Sequence, residues 1–343
     1  KRLLSEEIGE EESYDKPLNF IDKSIKILEK NLSNPDFIGT KKDLGQSYFL
    51  KSKIYFSQFK ATDNWDYINL SHENINKAVS FVDDDPDIYF HRYRTGIISS
   101  DGDDSLEAML DLQSSFEADK TNTRALFQLA QMQEIDEKYD SALKYYDKAV
   151  SIEKTSKNYY HRGRLKYKME DYERALKDYE IAEKIDKEEE SKKQWRDGEK
   201  AWLYEDKALA LIGLEKYHEA IYNYYLSIDF IQEYIDNGNE RMYRELVYPN
   251  ISSLSAMRLL YHEMGKIKFL LNNYGEAAND LKIAIKSFPK NSVVNYNLGL
   301  CLLKIGLEEE GCFYINKSFD LGSNESVFEY FETQNDFIPC DYN

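Results

Sequence analysis

Cysteine, proline and glycine are all scarce in this 343-residue chain, which has three, six and fifteen of them. Cys301, Cys312 and Cys340 show no metal-ligand spacing and no even number for a disulfide framework. Cys301 and Cys312 read as small buried apolar residues, and the set leans toward a reducing, cytoplasmic compartment. So few prolines and glycines leave little material for tight turns, and with 28 Tyr and 17 Phe the composition suits long helices packed through aromatic rings. Long apolar runs are missing too. The longest, Ala208 to Leu214, has seven residues, against the roughly 20 that cross a bilayer. Positive charge is in deficit: 45 Lys and Arg face 63 Asp and Glu, for a net charge of −18. Without a basic cluster, nucleic acid and anionic membrane surfaces repel such a chain. It starts at Lys1 with no Met and no apolar leader, which leaves open a removed upstream piece, export, or association with a membrane complex.

Local signatures of catalysis are equally absent. His72-Glu73, His218-Glu219 and His262-Glu263 lack the second His that a zinc-binding helix needs four positions after the first. The chain has no phosphate-binding loop ending in Gly-Lys-Ser/Thr and no Gly-x-Ser-x-Gly elbow. Asp101-Gly102-Asp103-Asp104-Ser105 lacks the alternating oxygens and terminal Glu of a calcium loop, and Asp104 with Glu107 reads instead as a capping box. The expectation is a chain that is not an enzyme and needs no cofactor or metal.

What is present is a repeat. Between Thr123 and Lys187 one pattern is written twice: Leu126, Leu129, Ala130, Tyr139, Ala142, Tyr146, Ala149 and Ile152 form the first copy. Tyr159, Gly163, Tyr172, Ala175, Tyr179, Ala182 and Ile185 form the second, 33 residues on. Each copy reads as two short helices. A unit of this length cannot bury its apolar face alone and must stack on its neighbours. Small residues where the helices cross, Ala130 facing Ala142 and Gly163 facing Ala175, let the backbones approach, and Tyr146 and Tyr179 fill the space beyond.

These positions resemble the tetratricopeptide repeat, with departures: Gln133 and Lys166 stand where an apolar or aromatic residue is usual, and Lys154 and Lys187 replace the closing proline. The resemblance implies an all-α, right-handed α-α superhelical solenoid of about seven helix pairs with terminal capping helices. It also implies that the protein acts by binding other proteins.

In order along the chain, residues 1–16 read as an acidic mobile arm, and a single solenoid is expected over 17–332, with a loose tail over 333–343. A first helix begins at Pro17, with Ile21, Ile25, Leu28 and Leu32 on one face. Units follow near 45–88, 89–122, 123–155, 156–200, 201–257, 258–291 and 292–325. The first of them has a long turn around Lys60 to Trp65, and segments 187–200 and 237–257 carry insertions, the former lengthening the next first helix. Gly311 keeps the last pair thin, and Glu325 to Phe331 suits a capping helix.

In this family the first helix of each pair lines the concave face. Carried over by frame, the expected partner-binding groove consists of Phe90, Tyr93 and Arg94; Arg124, Phe127, Gln128 and Gln131; Lys157, Tyr160, His161, Arg164 and Tyr167; then Glu205, Asp206, His262, Lys266, Tyr296 and Asn297. Aromatic area with polar tips suits an extended or helical peptide, and the overall acidity makes a basic segment a candidate. A subclass grips chaperone tails with a Lys/Asn, Asn, Lys/Arg clamp. The matching positions here, Tyr93 and Ile97, Gln128, Lys157 and His161, retain only Lys157, so chaperone C-terminal tails are disfavoured. Two readings result. One is a non-catalytic scaffold or adaptor binding in the groove. The other is a regulatory or assembly subunit of a larger enzyme or membrane-associated complex, docking by its convex face or its insertions.

Overall fold

A computed structural model of the chain describes residues 12–34, 40–99, 105–188, 199–238, 252–322 and Cys340. Among them the backbone satisfies itself in fifteen α-helices and no strand. The chain divides into two compact units, residues 1–158 and 159–343. The first holds α1 (Glu12–Asn31), α2 (Lys41–Thr62), α3 (Trp65–Val79), α4 (Pro86–Ser99), α5 (Ser105–Ala118), α6 (Thr123–Ile135) and α7 (Tyr139–Ile152). The helix α8 (Ser156–Lys168) leads into the second, with α9 (Tyr172–Glu188), α10 (Glu199–Gly213), α11 (Tyr217–Asp236), α12 (Ser253–Leu270), α13 (Tyr274–Ala284), α14 (Ser292–Lys304) and α15 (Glu308–Asp320).

Helices pack in consecutive pairs joined by short turns, and each pair leans on the next, as α3 does on α4 and α13 on α14. Five such turns repeat one geometry. Their middle residues, Glu137, Glu170, Glu215, Asn272 and Gly306, have φ of 58, 60, 57, 60 and 83°. The next amide of each turn donates back to a carbonyl near the end of the preceding helix: Lys138 to Gln133 at 2.8 Å, Asp171 to Lys166 at 2.9 Å, Lys216 to Leu211 at 2.8 Å, Asn273 to Lys268 at 2.8 Å and Leu307 to Leu302 at 2.9 Å. This satisfies carbonyls that a helix end otherwise leaves bare. Four of the five left-handed positions carry a Cβ that pays a steric cost there.

Within a pair the helices touch backbone to side chain, as the small residues require. A Cβ on Gly163 would lie 2.7 Å from the Tyr179 ring, and one on Gly299 would lie 2.8 Å from the Gly311 carbonyl. Ala130, Ala142 and Ala175 are fully buried at the equivalent crossings. The apolar core therefore runs between successive helices. In the first unit Ile21, Ile25 and Leu28 of α1 close over Leu44, Tyr48 and Ile75, and Leu112, Leu126 and Leu129 carry the core onward. In the second, Tyr179 packs on Tyr160 and Leu203, Tyr224 on Leu211 and Met264, and Leu281 on Leu298 and Leu302.

Polar groups also cross between the helices of a pair. Arg92 of α4 donates through Nε to Asp111 of α5 at 2.9 Å. Arg162 and Lys166 of α8 converge on Asp178 of α9 at 2.8 and 2.7 Å. Lys268 Nζ of α12 lies 2.7 Å from Asp280 of α13. These aspartates sit three residues after the small crossing residues Ala108, Ala175 and Ala277, on the buried side. Burial holds the Asp111 and Asp280 carboxyls above the usual carboxylate range despite their cations. Lys166, an odd residue in the repeat pattern, is thus explained by its partner.

Several expectations change. Helix α1 starts at Glu12, so Pro17 lies inside it, past the first turn, at the cost of one helical amide bond. The long turn expected around Lys60 to Trp65 is instead a 22-residue α2 ending at Thr62, with Asp63 left-handed and Asn64 capping α3. Within the insertions, 189–198 and 239–251 lie outside the described residues, as do Asp104 and Glu325 to Phe331; the described ends extend α9 to Glu188 and start α12 at Ser253. Cys312 is not a lone apolar residue: it is disulfide-bonded to Cys340, which ties that point of the tail against Tyr296 and Ile315. The spacing of three cysteines could not reveal the pair, because a separation of 28 residues obeys no short motif. Cys301 stays free and buried, its thiol pushed up to about 12 by burial.

Two outcomes test this packing. Asp178→Ala strands Arg162 and Lys166 and lowers stability by about 3 kcal/mol, while breaking the exposed Lys77–Glu73 pair costs less than about 1 kcal/mol, both read by denaturant unfolding. Glu170→Gly relieves a left-handed side chain and raises stability by about 0.5–1 kcal/mol; a loss would contradict the turn geometry.

Candidate partner-binding faces

In the first unit, α2, α4 and α6 lie side by side and are stitched through polar groups. The Ser52 hydroxyl donates to the Ser71 carbonyl at 2.7 Å and Ser71 returns the bond to the Ser52 carbonyl at 2.8 Å. With both hydroxyl protons used, His91 Nε2 supplies the proton in its 3.0 Å contact with Ser52 Oγ. Tyr93 of α4 donates to Gln128 Oε1 of α6 at 2.6 Å. Above this buried seam runs a row of rings and cations. Lys53 Nζ lies 4.4 Å from the Phe49 ring centroid, Lys60 5.2 Å and Arg94 4.7 Å from Phe56, and Arg124 5.2 Å from Phe90.

Of the residues expected here, Arg124 is exposed, and Phe90, Arg94, Phe127, Gln128, Gln131 and Lys157 are half-buried. Tyr93 is buried and joins helices instead of facing outward. Sequence reasoning missed Lys53 and Phe56. The signal was available: with Ser52 taken as the small crossing residue, Lys53 and Phe56 occupy in α2 the places that Arg164 and Tyr167 occupy in α8 relative to Gly163.

The first helices of the second unit make a more internal arrangement. Tyr160, Asp206, His262, Tyr296 and Asn297 are all buried. Tyr160 donates to Asp206 at 2.8 Å, and Arg164 Nε stands 3.5 Å from the same carboxylate. His262 Nε2 meets the Asn297 amide at 3.3 Å. Burial works against the Glu263 charge, yet His262 and Lys266 beside it hold the carboxyl down at about 2, with Lys266 Nζ at 2.8 Å. His161, Arg164, Tyr167, Glu205 and Lys266 remain half-buried and line the surface. The expected residues thus divide into linkers that register neighbouring helices and side chains that face outward. Among the described residues no group of three His, Cys, Asp or Glu is placed to hold a metal.

Consecutive helix pairs, small crossing residues and a repeated left-handed turn define the class: an all-α helical-repeat solenoid. The chain carries tetratricopeptide repeats. Tetratricopeptide-repeat models match residues 123–156, 156–189 and 263–311. The TPR repeat-containing protein MJ1428 of Methanocaldococcus jannaschii is 29% identical over 171 residues, 48% of this chain; the chain spans 26% of that relative's length. The C-terminal part of a TPR repeat-containing protein from Cytophaga hutchinsonii superposes with a TM-score of 0.55 at 13% identity, covering 84% of this chain and 99% of that one. PilF of Pseudomonas aeruginosa gives 0.51 at 14% identity over 72% and 96%. Likeness at this identity concerns the fold. The family consists in general of non-catalytic modules that bind protein partners. No described helix is long and apolar enough to cross a membrane.

The seam beneath the first face makes a pH test. Burial, then Arg94 and Lys53, lower His91 from 6.5 to about 4. The unfolded chain takes up the proton near 6.5 and the folded chain does not, so stability falls as pH drops from about 6.5 toward 4. Between pH 7 and 4.5 the wild type loses about 2.5 kcal/mol more than His91→Gln, by denaturant unfolding. Equal losses would contradict a neutral, buried His91.

Proposed function

We propose that the protein is a non-catalytic scaffold that holds a segment of a protein partner against the faces formed by its first helices. The observation that carries this is the row on α2, α4 and α6 in which exposed Lys53, Lys60 and Arg124 and half-buried Arg94 and Phe90 present charge and area outward, set against the buried rings of Phe49 and Phe56, while Tyr93, His91 and Ser52 fix the helices beneath. Such a surface supplies aromatic and guanidinium anchors on a rigid support, the residue types that dominate binding energy at interfaces. Within the second unit, Arg164 and Tyr167 of α8 are half-buried and hold the corresponding places in the repeat pattern.

One observation favours the alternative, a subunit docked by its second helices. Leu106 and Leu110, one turn apart on α5, are 66 and 52% exposed, and Tyr222 of α11 and Phe313 of α15 are 63 and 59% exposed, apolar area that a docked partner would cover. The two readings separate by partner capture from the native source. Arg94→Ala with Phe127→Ala, or Arg164→Ala with Tyr167→Ala, lowers recovery of the captured protein by roughly tenfold or more, whereas Tyr222→Ala with Phe313→Ala leaves it unchanged. The opposite pattern, with helicity intact in all variants, assigns docking to the second helices and removes the first-helix faces from the account.

A further inference from the structure

Charge in this acidic chain is sorted by helix. In the first unit, α2, α4 and α6 carry eight basic residues, Lys41, Lys42, Lys51, Lys53, Lys60, Arg92, Arg94 and Arg124, and three acidic ones, Asp43, Asp87 and Glu134. Their partners α3, α5 and α7 reverse the balance, with three basic residues against seven acidic: Asp66, Glu73, Glu107, Asp111, Glu117, Asp140 and Asp147. Some first-helix cations are spent inside the fold, as Arg92 is on Asp111 and Lys51 on Asp22. Others are not. Lys53, Lys60 and Arg94 have no carboxylate within ion-pair distance among the described residues, and Arg124 reaches only the exposed Asp87, at 3.3 Å. Arg94 is half-buried, and burial together with the nearby Arg124 charge lowers it from its ordinary value, as expected of a guanidinium that no anion neutralises.

Aromatic rings lie beside these cations. Phe56 takes Arg94 and Lys60, and Phe90 takes Arg124, contacts that favour these side-chain positions over others. Phe56 of α2 meets Arg94 of α4, and Phe90 of α4 meets Arg124 of α6, so the cations step across three helices. A peptide in the polyproline II conformation has three residues per turn and advances about 3.1 Å per residue, so acidic side chains at every third position stand on one side of it and can meet cations on successive helices. The net charge of −18 does not oppose this at physiological salt, because screening beyond about 8 Å leaves the ligand facing the cations and not the acidic second helices.

Resting on the first-helix face proposed above, we infer that the face of α2, α4 and α6 binds an acidic peptide segment, its Asp or Glu side chains pairing with Lys53, Arg94 and Arg124. This is opposite in sign to the basic partner suggested by the overall charge. The recognition is of side chains along the segment, so a free C-terminal carboxylate is not required.

The test uses the full chain and fluorescein-labelled, acetylated and amidated twelve-residue peptides in which Glu-Gly-Ser, Gln-Gly-Ser or Lys-Gly-Ser is repeated four times. Fluorescence anisotropy in 0.15 M salt shows the Glu peptide binding about tenfold or more tightly than the Gln peptide and weakening in 0.5 M salt, with the Lys peptide not binding at this face. Lys53→Gln, Arg94→Gln and Arg124→Gln together, with circular dichroism unchanged, cost the Glu peptide about tenfold or more. Equal binding of all three peptides, binding of none, or unaltered binding of the Glu peptide to the triple variant overturns the acidic assignment. If the Gln or Lys peptide binds instead and Phe127→Ala weakens it, the face remains a docking surface and only the acidic partner falls. If, in addition, the first-helix variants leave native capture intact, the docking reading falls as well.

Discussion

Every other feature depends on how closely the two helices of a pair approach. Gly163 under Tyr179, and Gly299 against the Gly311 backbone, leave no room for a methyl group. That closeness fixes which side of each helix is buried against its own partner. The remaining sides divide into one that meets neighbouring pairs and one that faces solvent. A surface built on so constrained a scaffold presents its side chains in a set register, and this makes the repeat a binding module although no single unit could stand alone.

Close approach also explains where charge lies. A cation on a first helix and an acid three residues past the crossing point on the second meet across a narrow, buried gap, as in Lys166 with Asp178 and Lys268 with Asp280. Acids on second helices are needed for these pairs, whereas cations on first helices exceed what the pairs consume. In the first unit that surplus rests on aromatic rings and faces outward. A chain that is acidic in sum therefore offers a basic face where the frame points a ligand.

Much of the architecture could be read from residue types at fixed spacing. The doubled pattern of residues 123–187 and the small residues Ala130, Ala142, Gly163 and Ala175 predicted the pairs and the crossings, because helix approach tolerates few residue types. Other features escaped for physical reasons. Helix α2 continues to Thr62, since nothing between Lys60 and Thr62 stops it, and left-handed Asp63 then turns the chain in two residues. The Cys312–Cys340 bond depends on where the tail returns, which local sequence does not encode. Within the proposed faces, frame position alone did not separate outward side chains such as Arg94, Arg124 and Tyr167 from linkers such as Tyr160, Asp206 and Asn297. That separation depends on whether a hydroxyl or amide finds a partner on the next helix, a tertiary fact. Lys53 and Phe56 were overlooked because α2 carries Ser52, and not Gly or Ala, at its crossing.

The central claim is that first helices bind and second helices support. Hydrogen-exchange mass spectrometry of the chain with and without a saturating native partner addresses it most directly, since it maps protection helix by helix. The account predicts slowed exchange concentrated in α2, α4, α6 and α8, with α3, α5, α7 and α11 unchanged. Protection confined to α5, α11 and α15, with the first helices exchanging as in the free protein, would contradict it.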